Sequence, residues 1–469
     1  MYGQETHVFD AGPLGILEGL VLTFDNVPAL HYFGDLPYAL PPTGPHRFRL
    51  PRKLPSDYDY GTKAFPGHFT TGTKICPQPP SCIPPDASLF DEDCLQLNIW
   101  IPAGKTPQGG WPVLFYLHGG PIVVLPAYRL NALGFVTGKA FAAEASDGGG
   151  TQYGNMGFWD QRMALEWTHQ NIAHFGGNPD NITCAGYSAG AYSTFHQLAH
   201  ELYYVAAEKS LIKRIIMLSN GPGLRPKSLS EQQNQFDEPL ADDKFYPQDL
   251  FAQINNGDFA RRMKERGMTL LSGECRDEHI IYRNWRTPGN SFDSVYARFC
   301  AEYPRTDVDK LLHHYCGSQQ KLPAHCADWQ ELFGRVYADL QVHHMQRGFF
   351  NALFNGGLIP GKNVLRYGFD RRLKCVDATI PVEWGVTHSS DVPIWLWGSD
   401  FPGGLTDQER VWLRSWNEEF AAFVSGAQVN WGPTKPKDMK RWSDGETDVW
   451  VDIKWEEGLE VWNVVHSTA

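Results

Sequence analysis

The sequence predicts an α/β protein in which helices cover a central, mainly parallel β-sheet. Short apolar runs alternate along the chain with segments whose apolar residues have helical spacing, and this alternation indicates parallel pairing of the strands. Between one such run and one such helix stands the pentapeptide Gly186-Tyr187-Ser188-Ala189-Gly190. A tight turn from strand to helix is a second indication of this class, because parallel strands are usually joined through helices.

The predicted elements follow in chain order. Strands are predicted at residues 15–24, 28–33, 94–101, 113–117, 182–185, 214–219, 268–271 and 364–369, where apolar runs or alternating patterns end at turn residues. Helices are predicted at 160–172, where Asp160 would be the cap, at 189–198 and at 328–341. Thr406 and Glu409 have the spacing of a capping box before a last helix.

The composition is typical of a globular protein and not of a membrane or nucleic-acid-binding protein. The chain has 469 residues, is 42% hydrophobic and carries a formal net charge of −12 that is spread along its length. Such a length permits about three domains, but no linker, repeat or charge block divides the chain, so one domain over residues 1–469 is predicted. No run reaches the roughly 18 apolar residues of a membrane helix, and the acidic charge disfavours nucleic acid as a partner.

The amino terminus and the cysteines favour a cytoplasmic location. Glu5 and Asp10 precede any apolar stretch, so no secretory signal is predicted. The 9 cysteines include no paired CxxC motif, and reduced thiols are predicted. His196 and His200 have a spacing that zinc ligands use, but the glutamate of an HExxH motif is absent, and we predict neither a metal nor another cofactor.

The pentapeptide has the pattern of a nucleophile elbow. A turn tight enough to lift the hydroxyl of Ser188 clear of the sheet strains the backbone and needs glycine on both sides, here Gly186 and Gly190. The backbone N–H of Ala189, at the start of the next helix, would then face a developing oxyanion. Because GxSxG also occurs by chance in a glycine-rich chain, its position between a strand and a helix carries more weight than the pentapeptide alone.

Five longer blocks accompany the elbow and extend over nearly the whole chain. They are FGDLPYALPPTGPHRFRLP (33–51), EDCLQLNIW (92–100), NMGFWDQRMALEWTHQNIAHFGGNP (155–179), GECRDEHIIYRNW (273–285) and EWGVTHSSDVPIWLWG (383–398). In content and order the blocks resemble the type-B carboxylesterase and cholinesterase family, in particular its branch from filamentous fungi. The resemblance implies an α/β-hydrolase fold with helical insertions. It also implies a serine carboxylic-ester hydrolase that forms an acyl-enzyme.

The same resemblance implies a Ser-His-Glu triad. It makes Ser188 the nucleophile, Glu278 the acid and His388 the base, and the chain order serine, acid, histidine is the order of this fold. Each of the three follows a predicted strand. The imidazole would take the serine proton, and the carboxylate would hold the imidazole in the required tautomer. Asp277 and Glu274 are rival acids whose alternative role is surface charge.

One connection departs from the family pattern. In the family, the strand that ends in HGG is followed by a glycine-rich loop and a helix before the neighbouring parallel strand, which corresponds here to residues 122–129. This sequence supplies only Pro121 between them. Because parallel neighbours need a crossover of about a dozen residues, strands 113–117 and 122–129 are predicted not to pair as they do in the family. A second shortening is predicted near residues 237–246.

The short connection also bears on activity. The family's oxyanion donors map to Gly120, Pro121 and Ala189, and proline has no N–H, so one donor is predicted to be missing. Two hypotheses remain: an active esterase of small-molecule esters, or a catalytically weakened binding protein. A lactonase or amidase on the same triad is a further alternative. Secreted relatives form a disulfide at the positions of Cys76 and Cys94, which we predict to be reduced here.

Overall fold

The strands and helices described here come from a computed structural model of the chain, which describes residues 2–78, 86–117, 124–138, 154–228, 231, 240, 242–398 and 401–466. The strands are β1 (Tyr2–Asp10), β2 (Ile16–Phe24), β3 (Val27–Pro37), β4 (Ala39–Leu40), β5 (Arg52–Lys53), β6 (Gly67–His68), β7 (Gln96–Pro102), β8 (Trp111–Leu117), β9 (Val124–Pro126), β10 (Gly177–Tyr187), β11 (Ile212–Leu218), β12 (Thr269–Cys275), β13 (Val364–Phe369), β14 (Asp438–Ser443) and β15 (Glu446–Val451).

The α-helices are α1 (Asn131–Phe135), α2 (Met156–Asn171), α3 (Ala189–Tyr204), α4 (Leu250–Asn255), α5 (Asp258–Glu265), α6 (His279–Asn284), α7 (Phe292–Glu302), α8 (Arg305–Cys316), α9 (Trp329–Gln341), α10 (His343–Asn355), α11 (Val392–Trp395), α12 (Asp407–Ser425) and α13 (Trp455–His466). Short 3-10 helices lie at Gly12–Leu14, Gly44–His46, Ala87–Leu89, Ile172–Phe175, Ala207–Lys209, Lys374–Ala378 and Val382–Trp384.

One large sheet organises the described part of the chain. It has 13 strands in the order β1-β2-β3-β7-β9-β8-β10-β11-β12-β13-β14-β15, with β6 beside β2, while β4 and β5 pair separately. Neighbours from β9 to β14 are parallel, and the pairs at both ends of the sheet are antiparallel. The predicted α/β class with a central, mostly parallel sheet is therefore confirmed.

Strand β11 shows how the core is arranged on the two faces of this sheet. Ile215 and Met217 belong to the hydrophobic core that also contains buried side chains of α2 and α3. Ile216 and Leu218 belong to a second core, which contains buried side chains of α12. Successive side chains of a strand point to opposite faces, so a strand covered on both faces is apolar throughout. This explains the uninterrupted apolar run by which β11 was predicted.

Most predicted elements are confirmed, but the start of α2 was predicted wrongly. The helix begins at Met156 and not at Asp160, and Asn155 precedes it with a left-handed φ of 55°. Asp160 is fully buried and binds Arg129 through two contacts of 2.7 Å, so its side chain is not a helix cap. An aspartate in the second turn of a helix can have the same sequence neighbours as an N-cap aspartate. Only the contact with a buried partner distinguishes the two roles. The capping box of Thr406 and Glu409 is present as predicted.

The prediction about the shortened connection is wrong in one respect. Strand β9 does lie between β7 and β8 and pairs in parallel with β8, although only through Phe115 and Val124. β9 has three residues, Val124–Pro126, instead of the predicted 122–129. Residues 118–123 lie outside the described ranges, as do residues 237–239 and 241 of the second predicted shortening.

The carboxyl ends of the parallel strands carry the candidate site residues. Ser188 follows β10, Glu278 follows β12 and His388 follows β13 in the chain. Ligands of open parallel sheets bind at this edge. Among the helices that the structure describes, none is long and apolar enough to cross a membrane.

Candidate active site

Ser188 occupies the sharp turn between β10 and α3. Its φ of 55° and ψ of −123° are a conformation that residues other than glycine rarely adopt. A Cβ atom at Gly186 would lie 2.1 Å from the carbonyl oxygen of Gly190, so the strand and the helix can approach this closely only because residue 186 is glycine. The local structure is thus the strained strand-to-helix turn that the pentapeptide predicts.

The backbone of Ser188 is held by the neighbouring strand. Its N–H donates to the carbonyl oxygen of Leu218, the last residue of β11, at 2.9 Å. Its own carbonyl oxygen accepts a hydrogen bond of 3.1 Å from Nδ2 of Asn220. The sequence analysis missed Asn220, although its position directly after a predicted buried strand was a signal for the same edge of the sheet. These bonds restrain the strained turn from both sides.

The second and third candidate residues are in direct contact. Nδ1 of His388 lies 2.6 Å from Oε2 of Glu278, although 110 positions separate the two residues in the chain. Glu278 is fully buried, and its other oxygen, Oε1, accepts the backbone N–H of Cys275 at 2.9 Å. Both carboxylate oxygens therefore have a donor, which fixes the orientation of the side chain. Because Nδ1 faces Glu278, Nε2 is the nitrogen that remains for another group.

The rival carboxylates have other partners. Asp277 accepts the backbone N–H of Val386 at 2.9 Å and pairs with Arg276 at 2.9 Å. Burial alone would raise the pKa of Asp277, but the hydrogen bonds from Arg276 and from the N–H of Val386, together with the nearby positive charge, outweigh burial and lower the pKa. Glu274 binds Arg347 at 2.8 Å and the imidazole of His343 at 3.0 Å. Of the three acids, the structure thus brings only Glu278 to His388.

Two tyrosine rings border the imidazole of His388. The ring centroids of Tyr187 and His388 are 4.9 Å apart, and the ring centroid of Tyr282 is 6.0 Å from that of His388. Burial raises the pKa of both tyrosines well above the usual value, so both are neutral near pH 7. Because Tyr187 directly precedes Ser188, the contact places His388 beside the elbow. The sequence analysis did not predict either contact.

The chain matches a family model described as "Carboxylesterase family" over residues 6–123 and 121–256. It is 52% identical to the carboxylic ester hydrolase of Gibberella moniliformis over 532 positions, which cover 99% of this chain and 97% of that protein. The chain belongs to the carboxylesterase family. The predicted resemblance is confirmed, and the protein is a carboxylic ester hydrolase.

Further comparisons agree with the family of this esterase. It is 32% identical to the uncharacterized esterase/lipase C417.12 of Schizosaccharomyces pombe over 529 positions, covering 96% of this chain and 95% of that one. The crystal structure of Aspergillus niger EstA superposes with a TM-score of 0.72 at 19% identity and covers 99% of both chains. At this identity the superposition bears on the fold alone, which is the α/β-hydrolase fold.

The comparisons also bear on the short connection after β8. The family model matches the chain in two segments that meet at residues 121–123. These residues follow the HGG sequence, at the start of the shortened connection. The alignment with the Gibberella hydrolase extends over 532 positions although this chain has only 469 residues, so that relative carries internal sequence that this esterase lacks. Both observations agree with the predicted absence of a family segment.

Asp391 is a further buried carboxylate near the candidate site, and the sequence analysis missed its role. Its side chain accepts hydrogen bonds from the hydroxyl of Tyr367 at 2.6 Å, from Nε1 of Trp395 at 3.2 Å and from Sγ of Cys275 at 3.4 Å. Burial raises the pKa of Asp391, and the nearby charge of Glu278 raises it further. Its position three residues after His388, within the block from 383 to 398, was the available signal.

The predicted oxyanion donors are only partly described. Ala189 is exposed and is the first residue of α3, where backbone N–H groups have no acceptor within the helix. Gly120 and Pro121 lie outside the described residues. The role of Gly120 and the missing donor at Pro121 therefore stay predictions.

His196 and His200 lie in the core of the esterase. Nδ1 of His196 bonds the carbonyl oxygen of Tyr192 at 2.9 Å, and Nδ1 of His200 bonds that of Phe245 at 2.8 Å. Burial lowers the pKa of each imidazole to about 4. Within the described ranges, no group of three or more potential ligand side chains could hold a metal ion.

Proposed function

We propose that the esterase cleaves carboxylic esters with Ser188 as nucleophile, His388 as general base and Glu278 as the acid that orients the base. The proposal rests on one observation, the 2.6 Å contact between Nδ1 of His388 and Glu278 beside the elbow. The strained φ of Ser188 and the contact of His388 with Tyr187 support it, because both place the serine and the imidazole at the same edge of the sheet.

The proposed reaction has two halves. In the first, Oγ of Ser188 attacks the ester carbonyl while Nε2 of His388 takes the hydroxyl proton, and the oxyanion faces the backbone N–H of Ala189. The C–O bond to the alcohol then breaks, and the imidazolium gives its proton to the leaving oxygen, which leaves an acyl ester on Ser188. In the second half, water attacks that ester in the same way and releases the carboxylic acid. Glu278 stabilises the imidazolium.

Small-molecule esters are the proposed substrates. One relative of this chain is the para-nitrobenzyl esterase of Bacillus subtilis, 33% identical over 215 positions. The tyrosines beside His388 favour substrates with an apolar group over highly charged ones, because neither ring carries a charge near pH 7. A lactone or an amide would be attacked by the same groups, so both belong in the substrate panel.

A fluorophosphonate probe and short p-nitrophenyl esters test the proposal. We expect labelling at Ser188, and we expect Ser188→Ala to abolish labelling and to lower hydrolysis by at least about 10³. Ser210→Ala is the matched control, because Ser210 precedes β11 at the opposite edge of the sheet from Ser188. Labelling that persists in Ser188→Ala would remove Ser188 from the mechanism.

A catalytically weakened binding protein is the second candidate function. The break in the family match at residues 121–123 favours it, since the family's second oxyanion donor falls there. The active esterase and the weakened binding protein are expected to differ in the rate of ester hydrolysis and not in labelling by the fluorophosphonate probe. A chain that the probe labels normally but that turns over esters about 10² to 10³ more slowly than an ordinary esterase would support the second candidate.

We further propose that the esterase acts in the cytoplasm with reduced thiols. Cys76 and Cys94 are buried free thiols in the structure, and Sγ of Cys76 accepts the backbone N–H of Leu130 at 3.2 Å. The cytosolic glutathione pool keeps such thiols reduced. A peptide crosslinked through Cys76 and Cys94, recovered from cells alkylated during lysis, would contradict both parts of the proposal.

A further inference from the structure

A cavity of about 960 Å³ lies at the edge of the sheet opposite to Ser188. The first residues of β11 and β12 border it, together with the turn before β13 and the segment that follows α12. From Arg214, which lines the cavity, to Leu218, which contacts Ser188, the strand rises about 13 Å. The cavity is therefore separate from the candidate ester site.

The charge of this cavity contrasts with that of the whole molecule. Four basic residues line it, namely Lys213, Arg214, Arg266 and Lys362, and no aspartate or glutamate does. The chain as a whole has a net charge of −12. Within the described part of the chain, none of the four basic side chains forms an ion pair with a carboxylate. A concentration of unpaired cations in an acidic protein needs a physical explanation.

Neutral oxygens are the partners of the two arginines. Arg214 donates to Oγ1 of Thr183 and to the carbonyl oxygen of Val424, each at 3.0 Å. Arg266 donates to the carbonyl oxygens of Glu201 and Val205, each at 2.7 Å. These carbonyls belong to the ends of α12 and α3, where the helix dipole supplies only about half a negative charge.

The pKa values agree with an incomplete compensation of charge. Burial lowers the pKa of Arg214 to about 10. It also lowers the pKa of Arg266, although nearby glutamates raise it in part. A carboxylate in contact with either guanidinium would oppose this lowering of the pKa. Capping of the two helices therefore explains where the arginines point but not how their charge is neutralised.

The remaining walls of the cavity combine apolar side chains with polar ones, among them Gln428, Asn430 and Thr434. Leu365 and Phe423 are buried at its base, Val429 lies at its rim, and Ile359 is 49% exposed. An exposed isoleucine beside unpaired cations fits a ligand with both a charged and an apolar part. An inorganic anion would leave the apolar walls in water, and a neutral apolar molecule would leave the cations unpaired.

We propose that this cavity binds an organic anion, a carboxylate or a phosphate monoester that carries an apolar chain. Arg214 would hold the anionic group through the N–H groups that its present partners do not use, and Arg266, which donates to the end of α3 on the other face of the sheet, would add positive charge. Lys213 and Lys362 would contribute point charges at the entrance, and the apolar chain would cover Ile359 and Phe423. The volume lies within the range of about 300 to 1,000 Å³ that small-molecule sites have.

Calorimetric titration of the full chain with four probes tests the proposal. Octanoate and octyl phosphate carry both parts of the ligand, octanol lacks the charge, and inorganic phosphate lacks the chain. We expect at least one of the two amphipathic anions to bind at least about tenfold more tightly than octanol and phosphate, and binding to weaken with salt. The tighter of the two identifies the anionic group as a carboxylate or a phosphate.

The double variant Lys213→Gln/Lys362→Gln locates the binding. It removes two charges from the entrance without removing the arginines that cap the helices, and we expect affinity to fall at least about tenfold. Lys105→Gln/Lys321→Gln is the matched control, since both lysines are exposed, lie outside the cavity and change the net charge equally. Unchanged affinity in the first variant, equal binding of octanol, or no binding of either anion would overturn the proposal.

Discussion

Three carboxylates lie within five positions at the end of β12, and their partners separate their roles. Glu278 faces His388, Asp277 accepts a backbone N–H from the loop before His388, and Glu274 neutralises the fully buried Arg347. All three follow one predicted strand, so local sequence distinguishes them poorly. The direction of each side chain decides which one contacts the imidazole. Neutralisation of each acid is therefore expected to cause a different defect.

The first prediction concerns these acids. Glu278→Gln should lower kcat by about 10³ to 10⁴, because an amide does not hold the required imidazole tautomer. Asp277→Asn should lower kcat by less than about tenfold, since it removes only a contact of the preceding loop. Glu274→Gln should lower the free energy of unfolding by about 3 kcal/mol, because it leaves Arg347 with one carboxylate fewer in the core.

Steady-state kinetics on a p-nitrophenyl ester and urea unfolding measure these effects separately. Asp370→Asn is a useful control, because Asp370 pairs with the same Arg276 as Asp277 and does not contact His388. Equal losses of kcat in the three variants would contradict the assignment of Glu278.

At the scale of elements, strand β9 is the point at which the sheet is incomplete. It has three residues, whereas its neighbours β7 and β8 have seven each. An apolar cavity of about 250 Å³ opens between the last four residues of β7 and the first four of β8, and α12 closes it with Phe420 and Val424. A longer β9 would extend into this space.

The second prediction concerns this connection. The chain as it stands should give a low soluble yield and weak hydrolysis, because the apolar edges of β7 and β8 have, among the described residues, only the short β9 as a partner between them. Insertion of a family-like segment of about 25 residues after Gly120, with a residue that has an N–H in place of Pro121, should raise solubility by completing the crossover. It should also raise kcat by about 10² to 10³ through the restored oxyanion donor.

A glycine-serine insertion of equal length at the same site is the control, because it supplies length without a helix or an apolar strand. Turnover of the present chain at an ordinary kcat of about 10 s⁻¹ would refute the inferred damage to the oxyanion hole.

Boundaries of elements could be predicted where local signals decide them. The capping box begins α12 as predicted because Thr406 and Glu409 satisfy each other's groups within one turn. Strand β13 has the predicted limits because its residues, apart from Arg366, are apolar and lie between the polar residues Asn363 and Asp370. The start of α2 was predicted wrongly at Asp160, because the partner of this residue, Arg129, lies in another segment of the chain. A local pattern carries no information about such a distant partner.

At the scale of the whole molecule, buried histidines couple stability to pH. Burial lowers the pKa of His196 and of His200 to about 4 and that of His466 to about 3. In the unfolded chain each would titrate near 6.5. Between about pH 6.5 and 4 the unfolded chain therefore binds protons that the folded chain does not. The free energy of unfolding must fall as the pH is lowered through this window.

The third prediction uses this linkage. Each such histidine should contribute a slope of about 1.4 kcal/mol per pH unit below pH 6.5. His196→Gln should remove one of these slopes between pH 6 and 4.5, while His325→Gln, at an exposed position, should not change the profile. Urea unfolding at several pH values measures the slope.

The same experiments test the proposal that residues 1–469 form one domain. A single unfolding transition would support it, and two transitions would contradict it.

The sequence by itself determined the succession of strands and helices along the chain and the elbow, because these depend on neighbours in the chain, and the family resemblance supplied the three candidate residues of the ester site. Gly186 allows the turn at Ser188, and apolar runs identify the strands before Glu278 and His388. Only the tertiary structure decided which acid reaches His388, how short β9 is and that four basic residues meet in one cavity. Lys213 and Lys362 are remote in sequence, and residues so far apart meet only through the packing of the segments between them.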